Sequence, residues 1–518
     1  MSICQVNTTW GIKMKIKDTE SLCPECLKKI PAEIYEEQGK VYIKKICVDH
    51  GEWKDLYWGD YKQYKRAQKY EAHGKKLSNP RTKKVNECPY DCGICPEHKS
   101  PTVLAIIDVT NRCNLRCPIC FAHAGAAGYL YEPSNEEIRK IMENLRANKP
   151  VPPPALQFSG GEPTVREDLP DLVRMANELG FQHVEVDSNG IKMAESVDYC
   201  RELKEAGLST VYLQFDGVTP EPYKVARGFD LLDIKKQALR NLKASGFRSV
   251  VLVPVLVGGV NTDQVGDIIR FAVENRDVVR CVNFQPVAIT GRINAKEREK
   301  MRVTIPDLMR LAEEQTGGLI KQGDWFPVPT AMPFIDFVSH IKKKQYVDFS
   351  AHPHCGMATY LVLEGDKVEP ITKYLNVDGM LASMKYANRR FESGHRTIAK
   401  ASSITGAVEN VKLGTFRKYL LPVLRSGSYE SLSDLHHNMV MIGSMHFMDP
   451  YNFDVERVQR CVIHYATPDG RITPFCTMNN LHRKEAEKRF AKPLDPDKNT
   501  LLYDCVALTR KIKEGKVG

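Results

Sequence analysis

No stretch of about 18 apolar residues runs through the 518-residue chain, so it offers no candidate transmembrane helix. The opening MSICQVNTTWGIKMKIKD lacks a secretory h-region. The expectation is a cytoplasmic protein. There is no internal repeat and no low-complexity tract, which argues against a solenoid. A dense basic stripe with interleaved aromatics is also missing, so nucleic acid is not an expected partner. The net charge of +10 favours anionic partners but is spread thinly over the chain.

Cysteine is what the chain has in excess, with 16 residues. In a cytosolic protein disulfides do not explain that number. Most of them form local groups: Cys23, Cys26 and Cys47; Cys88, Cys92 and Cys95; Cys113, Cys117 and Cys120; Cys355, Cys461 and Cys476. Thiolates grouped this way imply metal, and the repeated short spacings lean toward iron–sulfur clusters over zinc. Cys200 and Cys505 sit in helical contexts and read as core residues.

Length alone suggests two or three domains. Residues 1–100 are polar, with cysteines on short strand-and-turn segments such as VYIKKICVDHGEW, and read as a metal-stapled region. From 101 to 300 short apolar runs alternate with amphipathic helices. Six strands (TVLAIIDVT, PALQFSG, HVEVDSNG, STVYLQFDG, SVVLVPVLVGG and VVRCVNFQPV) are each separated by a crossover helix. The pattern predicts an α/β fold, a partial (β/α)6 TIM-type barrel, because a full barrel needs about 250 residues. Residues 301–518 are less regular and read as a C-terminal metal-bearing domain, so that N-terminal and C-terminal metal-binding domains flank the barrel.

NRCNLRCPICFAHAG, residues 111–125, spaces Cys113, Cys117 and Cys120 as C-x3-C-x2-C in the loop after the first barrel strand. Barrel folds place their chemistry at that end. Three thiolates can hold three irons of a 4Fe–4S cube and leave the fourth open. A zinc knuckle completed by His123, or an electron-transfer cluster with a remote fourth cysteine, are the competing readings.

The triad in that position resembles the radical S-adenosylmethionine (radical SAM) enzymes, and FSGGEPT, residues 158–164, falls where those enzymes carry a glycine-rich strand end. The resemblance implies that the open iron chelates S-adenosylmethionine. It implies that Gly160, Gly161 and Glu162 receive its amino group, that Ser188 and Asn189 of DSNG form the next turn, and that Gln214, Asp216 and Gln285 meet ribose or substrate. Ile119 stands where an aromatic residue is common near the adenine, with Phe121 close by. A small electron donor of ferredoxin or flavodoxin type is the implied redox partner. The implied chemistry is cofactor-centred, with no acid or base side chain required.

Cys23-x2-Cys26 and Cys47-x2-His50 have the spacing of a zinc ribbon or a rubredoxin-like mononuclear iron site, with Cys4 as another possible ligand. Cys88, Cys92 and Cys95 read as an auxiliary 4Fe–4S cluster whose fourth ligand arrives from elsewhere. Cys281, Cys355, Cys461 and Cys476 read as a further one. The whole arrangement resembles the archaeal tetraether lipid synthases. That implies an archaeal phospholipid substrate with long isoprenoid chains, joined tail to tail through a C(sp3)–C(sp3) bond by a protein peripheral to the membrane. MPFIDFV and HNMVMIGSMHFM are apolar enough to line a chain channel. The alternatives are methylation of a reduced hydroxymethylpterin and a non-catalytic metal protein that binds nucleic acid.

Overall fold

The computed structural model describes residues 13–365, 367–412, 438–493 and 502–517. Its N-terminal part is an antiparallel sheet of β1 (Met14–Leu22), β2 (Lys29–Glu37), β3 (Lys40–Cys47) and β4 (Gly51–Trp58), in that order. Val41, Ile43, Lys45 and Cys47 point inward while Tyr42, Lys44 and Ile46 are more exposed, the period of a half-buried strand. Short segments of this length cannot bury a sufficient core alone. The ribbon docks on residues 449–456, where Ser21 Oγ donates to Phe453 O at 2.5 Å and Tyr57 Oη to Asp454 at 2.7 Å.

All six barrel strands expected from the sequence form: β5 (Leu104–Thr110), β6 (Ala155–Gly160), β7 (His183–Ser188), β8 (Thr210–Gln214), β9 (Val250–Val253) with a short continuation β10 (Val255–Leu256), and β11 (Val279–Pro286). They pair in parallel, β5-β6-β7-β8-β9-β11. Crossover helices cover the outer face. Asn135–Arg146 starts at a capping box between Ser134 and Glu137 and buries Ile138, Ile141, Met142 and Leu145 at helical spacing.

The sheet does not stop at the sixth strand. β12 (Phe326–Pro327), β13 (Gly356–Glu364) and β14 (Lys367–Pro370) form an antiparallel outwork. β15 (Met439–Met445) then pairs parallel with β11, and β16 (Ile463–Ala466) pairs parallel with β5. β17 (Ile472–Pro474) folds back on β16. The C-terminal third thus lends one parallel strand to each edge of the partial barrel. Both added strands help to line the lumen, β15 through Met441 and Met445 and β16 through Ile463 and Tyr465.

Strand alternation decides what faces that lumen. Glu185 and Asp187 of β7, Tyr212 and Gln214 of β8, and Cys281, Asn283 and Gln285 of β11 line an internal cavity of about 430 Å3, while the residues between them pack outward against the helices. The helix Met332–Lys342, which carries MPFIDFV, packs in a separate core with Phe337 against Tyr374, Met384 and Phe391. It lines no part of the cavity. HNMVMIGSMHFM includes β15 and is divided by its alternation: Met441 and Met445 face the lumen, Val440 and Ile442 the core. Among the described residues no helix is long and apolar enough to cross a membrane.

Candidate active site and metal centres

Cys113, Cys117 and Cys120 lie in the loop that leaves β5, and all three line the cavity. The loop is pinned from several sides. Asn111 closes its base, donating to Tyr129 O at 2.9 Å and accepting from Tyr131 N at 3.0 Å. Asn114 Oδ1 accepts from Asn189 Nδ2 at 2.8 Å, which ties the loop to the end of β7. Arg227 Nη1 donates to Ile119 O at 3.1 Å, and Arg292 N to Cys120 O at 3.0 Å.

Gly160 and Gly161 seat this loop. Gly161 N donates to Thr110 O at 2.7 Å and Glu162 N to Arg112 O at 2.9 Å, bringing two backbones into direct apposition. A Cβ on Gly160 would sit 2.1 Å from Thr110 O, and one on Gly161 2.0 Å from Arg112 O. Only glycine allows that approach. The Glu162 carboxylate then joins two strand ends, accepting from Thr164 Oγ1 (2.6 Å) and Ser188 Oγ (2.8 Å) on one oxygen and from Asn189 N (2.8 Å) on the other.

Gln214, Gln285 and Ile119 line the cavity, Ile119 backed by Ala226, Val257 and Val287. Asp216 does not. It is fully buried, and its oxygens are held by Arg227 at 2.7 and 2.8 Å. A buried guanidinium requires that carboxylate, so Asp216 anchors Arg227 rather than meeting a ligand. His123 is exposed and lines no part of the cavity.

Burial raises the thiol pKa of Cys113, with Glu162 adding to the effect, and burial likewise raises that of Cys117. Such thiols become thiolates only beside a cation, and a metal core supplies one. Three convergent sulfurs at a cavity mouth, backed by a glycine turn, fit a cube with one open corner.

The single-ion site is more explicit. Cys23 and Cys26 lie in the β1–β2 turn; Cys47 ends β3 and His50 precedes β4. Their donor atoms all fall within 4.8 Å of one another, with Cys26 Sγ to Cys47 Sγ 3.9 Å, Cys23 Sγ to His50 Nδ1 3.6 Å and Cys47 Sγ to His50 Nδ1 3.5 Å. A tetrahedral ion with bonds of about 2.0–2.3 Å sets its ligands about 3.5–3.8 Å apart, so the set fits. Cys4 lies outside the described residues.

Cys88, Cys92 and Cys95 are buried in a loop whose Asp91 Oδ2 accepts from the backbone N of Val85, Asn86 and Glu87 at 2.6–2.8 Å. The neighbouring Cys88 thiol, followed by burial, raises the pKa of Cys92. Cys92 also meets Thr477, the residue after Cys476, so this loop abuts the C-terminal cysteines.

Cys355, Cys461 and Cys476 are brought together. Burial pushes Cys461 up to about 11, with Cys355 contributing, and Cys476 rises through burial and then the charge of Cys461. Cys476 also lines the cavity, so this triad borders the same space as the first. Cys281 is not with them. It pairs with Met441, five residues before His446, and His446 N bonds Cys355 O at the far end of β15. Five residues of strand span about 16 Å. The carboxylate acting on Cys281 is Glu185, from β7. A lumen-facing thiol at that depth of β11 cannot share a cube with Cys355.

Sequence reasoning missed several residues of the site. Arg227 and Asn114 hold the cysteine loop. Lys235 donates to Gln214 Oε1 at 2.7 Å and to Asn189 O, and burial brings its pKa down to about 8. Asp187 is pushed up to about 7 by burial and by the charge of Glu162. Polar residues at every second position of an otherwise apolar barrel strand are the signal that could have found Glu185, Asp187 and Asn283.

Residues 107–272 match the Radical SAM superfamily, and residues 15–59 match the HMPTM N-terminal zinc ribbon domain. The chain is 52% identical over 492 residues to the 7,8-dihydro-6-hydroxymethylpterin dimethyltransferase of Methanocaldococcus jannaschii, covering 92% of this chain and 96% of that one. This chain belongs to the radical SAM superfamily, in the same family as that dimethyltransferase. More distant relatives match over part of the chain. A GTP 3′,8-cyclase of Peptoclostridium acidaminophilum is 26% identical over 46% of this chain and 73% of its own. An Fe-coproporphyrin III synthase of Methanosarcina barkeri is 34% identical over 29% of this chain and 36% of its own.

The radical SAM enzyme therefore carries a 4Fe–4S cluster and S-adenosylmethionine, with a zinc ribbon and further cysteine groups as auxiliary metal sites. The expectation of an isoprenoid-joining lipid synthase is overturned by the near full-length match to a pterin dimethyltransferase. The MPFIDFV helix, one of the two stretches offered as a lipid channel, lies in a separate core. The reason to expect an archaeal phospholipid or membrane contact goes with it.

Proposed function

We infer that this chain is a radical SAM methyltransferase acting on a reduced hydroxymethylpterin. The observation that carries the reading is 52% identity extending across 96% of a protein named for that substrate, zinc ribbon included. When bound, the cluster and S-adenosylmethionine supply a carbon-centred radical that can take hydrogen from unactivated carbon. A ferredoxin- or flavodoxin-type protein is the proposed electron donor.

The chain's own residues divide the remaining work. Cys113, Cys117 and Cys120 hold the cluster. Glu162 and the Gly160–Gly161 turn face the amino group of S-adenosylmethionine, with Glu162 fixed by Ser188 and Asn189. A reduced pterin presents a flat ring with one edge of N–H donors. Asp187 and Glu185 in the lumen offer carboxylate acceptors for that edge. Phe121 and Phe475, whose ring centroids lie 5.7 Å apart, offer aromatic faces at the cavity wall. The wall is largely apolar, and the carboxylates and amides set into it give a heterocycle hydrogen-bond partners that a hydrocarbon chain would leave unused.

The test is anaerobic incubation of reconstituted protein with dithionite, 7,8-dihydro-6-hydroxymethylpterin and excess S-adenosylmethionine, one molecule as radical source and a second as methyl donor. A parallel arm adds a reduced-folate one-carbon donor, and both are followed by mass spectrometry. Products heavier by one and by two methyl groups are expected. Formation of 5′-deoxyadenosine with no methylated pterin would overturn the substrate assignment while leaving the superfamily intact.

A further inference from the structure

Two deeply buried polar side chains beside Cys355 have nitrogens without a partner. His446 is 2% exposed, and neither of its ring nitrogens has a hydrogen-bond partner. Arg457 is 1% exposed; it donates from Nε to Cys355 Sγ at 3.4 Å and from Nη2 to His446 O at 2.7 Å, and its Nη1 has no partner. Among the described residues no carboxylate forms an ion pair with Arg457. An imidazole with two idle nitrogens and an uncompensated guanidinium are each costly in a dry interior. A metal cluster at the thiols would engage both, its iron taking the imidazole lone pair and its net negative charge pairing with the guanidinium.

Strand pairing supplies the geometry. β13 and β15 are antiparallel with Gly356 opposite Met445, and His446 N donates to Cys355 O at 2.9 Å. Cys355 and His446 are thus cross-strand neighbours, whose Cβ atoms stand about 5 Å apart on one face. Cys461 precedes β16 and Cys476 follows β17, so the β16–β17 hairpin presents both at its open end. Arg457 joins the two halves, since Cys355 and then Cys476 are the thiols whose charge acts on it.

We propose that Cys355, Cys461, Cys476 and His446 together ligate one auxiliary iron–sulfur cluster, with Arg457 as its buried counter-charge. His446 replaces Cys281, which the strand register places too far away. Three thiolates around a dicationic core leave one negative charge, and the guanidinium neutralises it. A neutral imidazole ligand and an N–H donated to sulfur both raise a cluster's reduction potential relative to four thiolates. Because Cys476 lines the cavity, this cluster sits at the substrate chamber's wall. The assignment does not depend on which substrate occupies that chamber.

The test uses full-length reconstituted protein labelled with 15N-histidine, reduced and free of S-adenosylmethionine so that its amino nitrogen cannot contribute. Electron–nuclear double resonance is expected to show histidyl 15N coupling to a reduced cluster. His446→Cys, which keeps four ligands, should abolish the coupling, retain the iron and sulfide content, and lower the potential of one cluster. Cys281→Ser should change none of these readouts. Absent coupling in the wild-type protein, coupling that survives His446→Cys, or a cube's worth of iron lost in Cys281→Ser would each overturn the assignment.

Discussion

Gly161→Ala tests whether the cysteine loop and the glycine turn work as one unit. The added Cβ would stand 2.0 Å from Arg112 O and 2.6 Å from Arg112 C, where Cβ atoms keep at least 3.0 Å from their neighbours. The two backbones must therefore part by about 1 Å, since neither obstacle is a side chain that can swing away. Overpacking of this kind costs about 1–3 kcal/mol of stability. Its catalytic cost is greater, because a shift of about 1 Å in a positioned group can lower a rate about 100-fold. The assay is anaerobic formation of 5′-deoxyadenosine from S-adenosylmethionine with dithionite, with iron content and circular dichroism measured alongside. Gly323→Ala is the control, having no neighbouring atom within 4 Å. If Gly161→Ala cleaves S-adenosylmethionine at the wild-type rate, the close approach is incidental and the positioning argument fails.

Arg227→Met leaves the fully buried Asp216 carboxylate without its partner and should cost about 3–5 kcal/mol in urea unfolding. Adding Asp216→Asn to that variant should recover part of the loss, and additive losses would refute a paired role. Asp187, raised to about 7 by burial and by Glu162, faces Glu185, Arg227 and the Ser159 hydroxyl. The ionised form is the better acceptor for a pterin N–H edge, so pterin affinity should rise as pH climbs through about 7 and level off above it. Asp187→Asn should flatten that profile in calorimetry, and an unchanged profile would remove Asp187 from the substrate edge. Cys26→Ala should lose the one tetrahedral ion while leaving sulfide content intact, as read by plasma mass spectrometry and sulfide assay. Cys113→Ala should abolish 5′-deoxyadenosine formation, whereas Cys355→Ala should leave it and stop methylated product.

Features that depend on local sequence were readable in advance. The six barrel strands and their helices follow from apolar period and length, and the ribbon's ligands follow from two short spacings. The triad and GGE turn are legible because both lie at the ends of consecutive strands. What the sequence concealed depends on pairing between distant segments. Nothing in MVMIGSM announces that it will run parallel to β11, whose paired residues lie 160 positions earlier in the chain, or that IHYA will lie against β5. The register that sends Cys281 about 16 Å from Cys355 exists only once β15 is placed. For the same reason His446 and Arg457 read as ordinary residues, and their unmet polar groups become visible only when burial is known.

The substrate is hard to read from the sequence for a related reason. Metal spacing dictates which bonds the cofactor can break, and that part of the sequence is shared by enzymes with unlike substrates. The proposed discrimination between a hydrocarbon chain and a heterocycle rests instead on single lumen positions spread over separate strands: Glu185, Asp187, Tyr212 and Asn283. Asn283 donates to the Tyr212 hydroxyl, and Gln285 donates to it at 3.2 Å, so β8 and β11 share a polar patch well inside the barrel. A hydrocarbon chain passing that patch would strip its water and return no hydrogen bonds, a desolvation cost of about 1–3 kcal/mol for each polar group left unsatisfied. A pterin ring returns them. Tyr212→Phe together with Asn283→Leu should therefore weaken pterin binding while leaving S-adenosylmethionine cleavage in place. Equal pterin affinity in that double variant would move the substrate site toward the aromatic wall of Phe121 and Phe475.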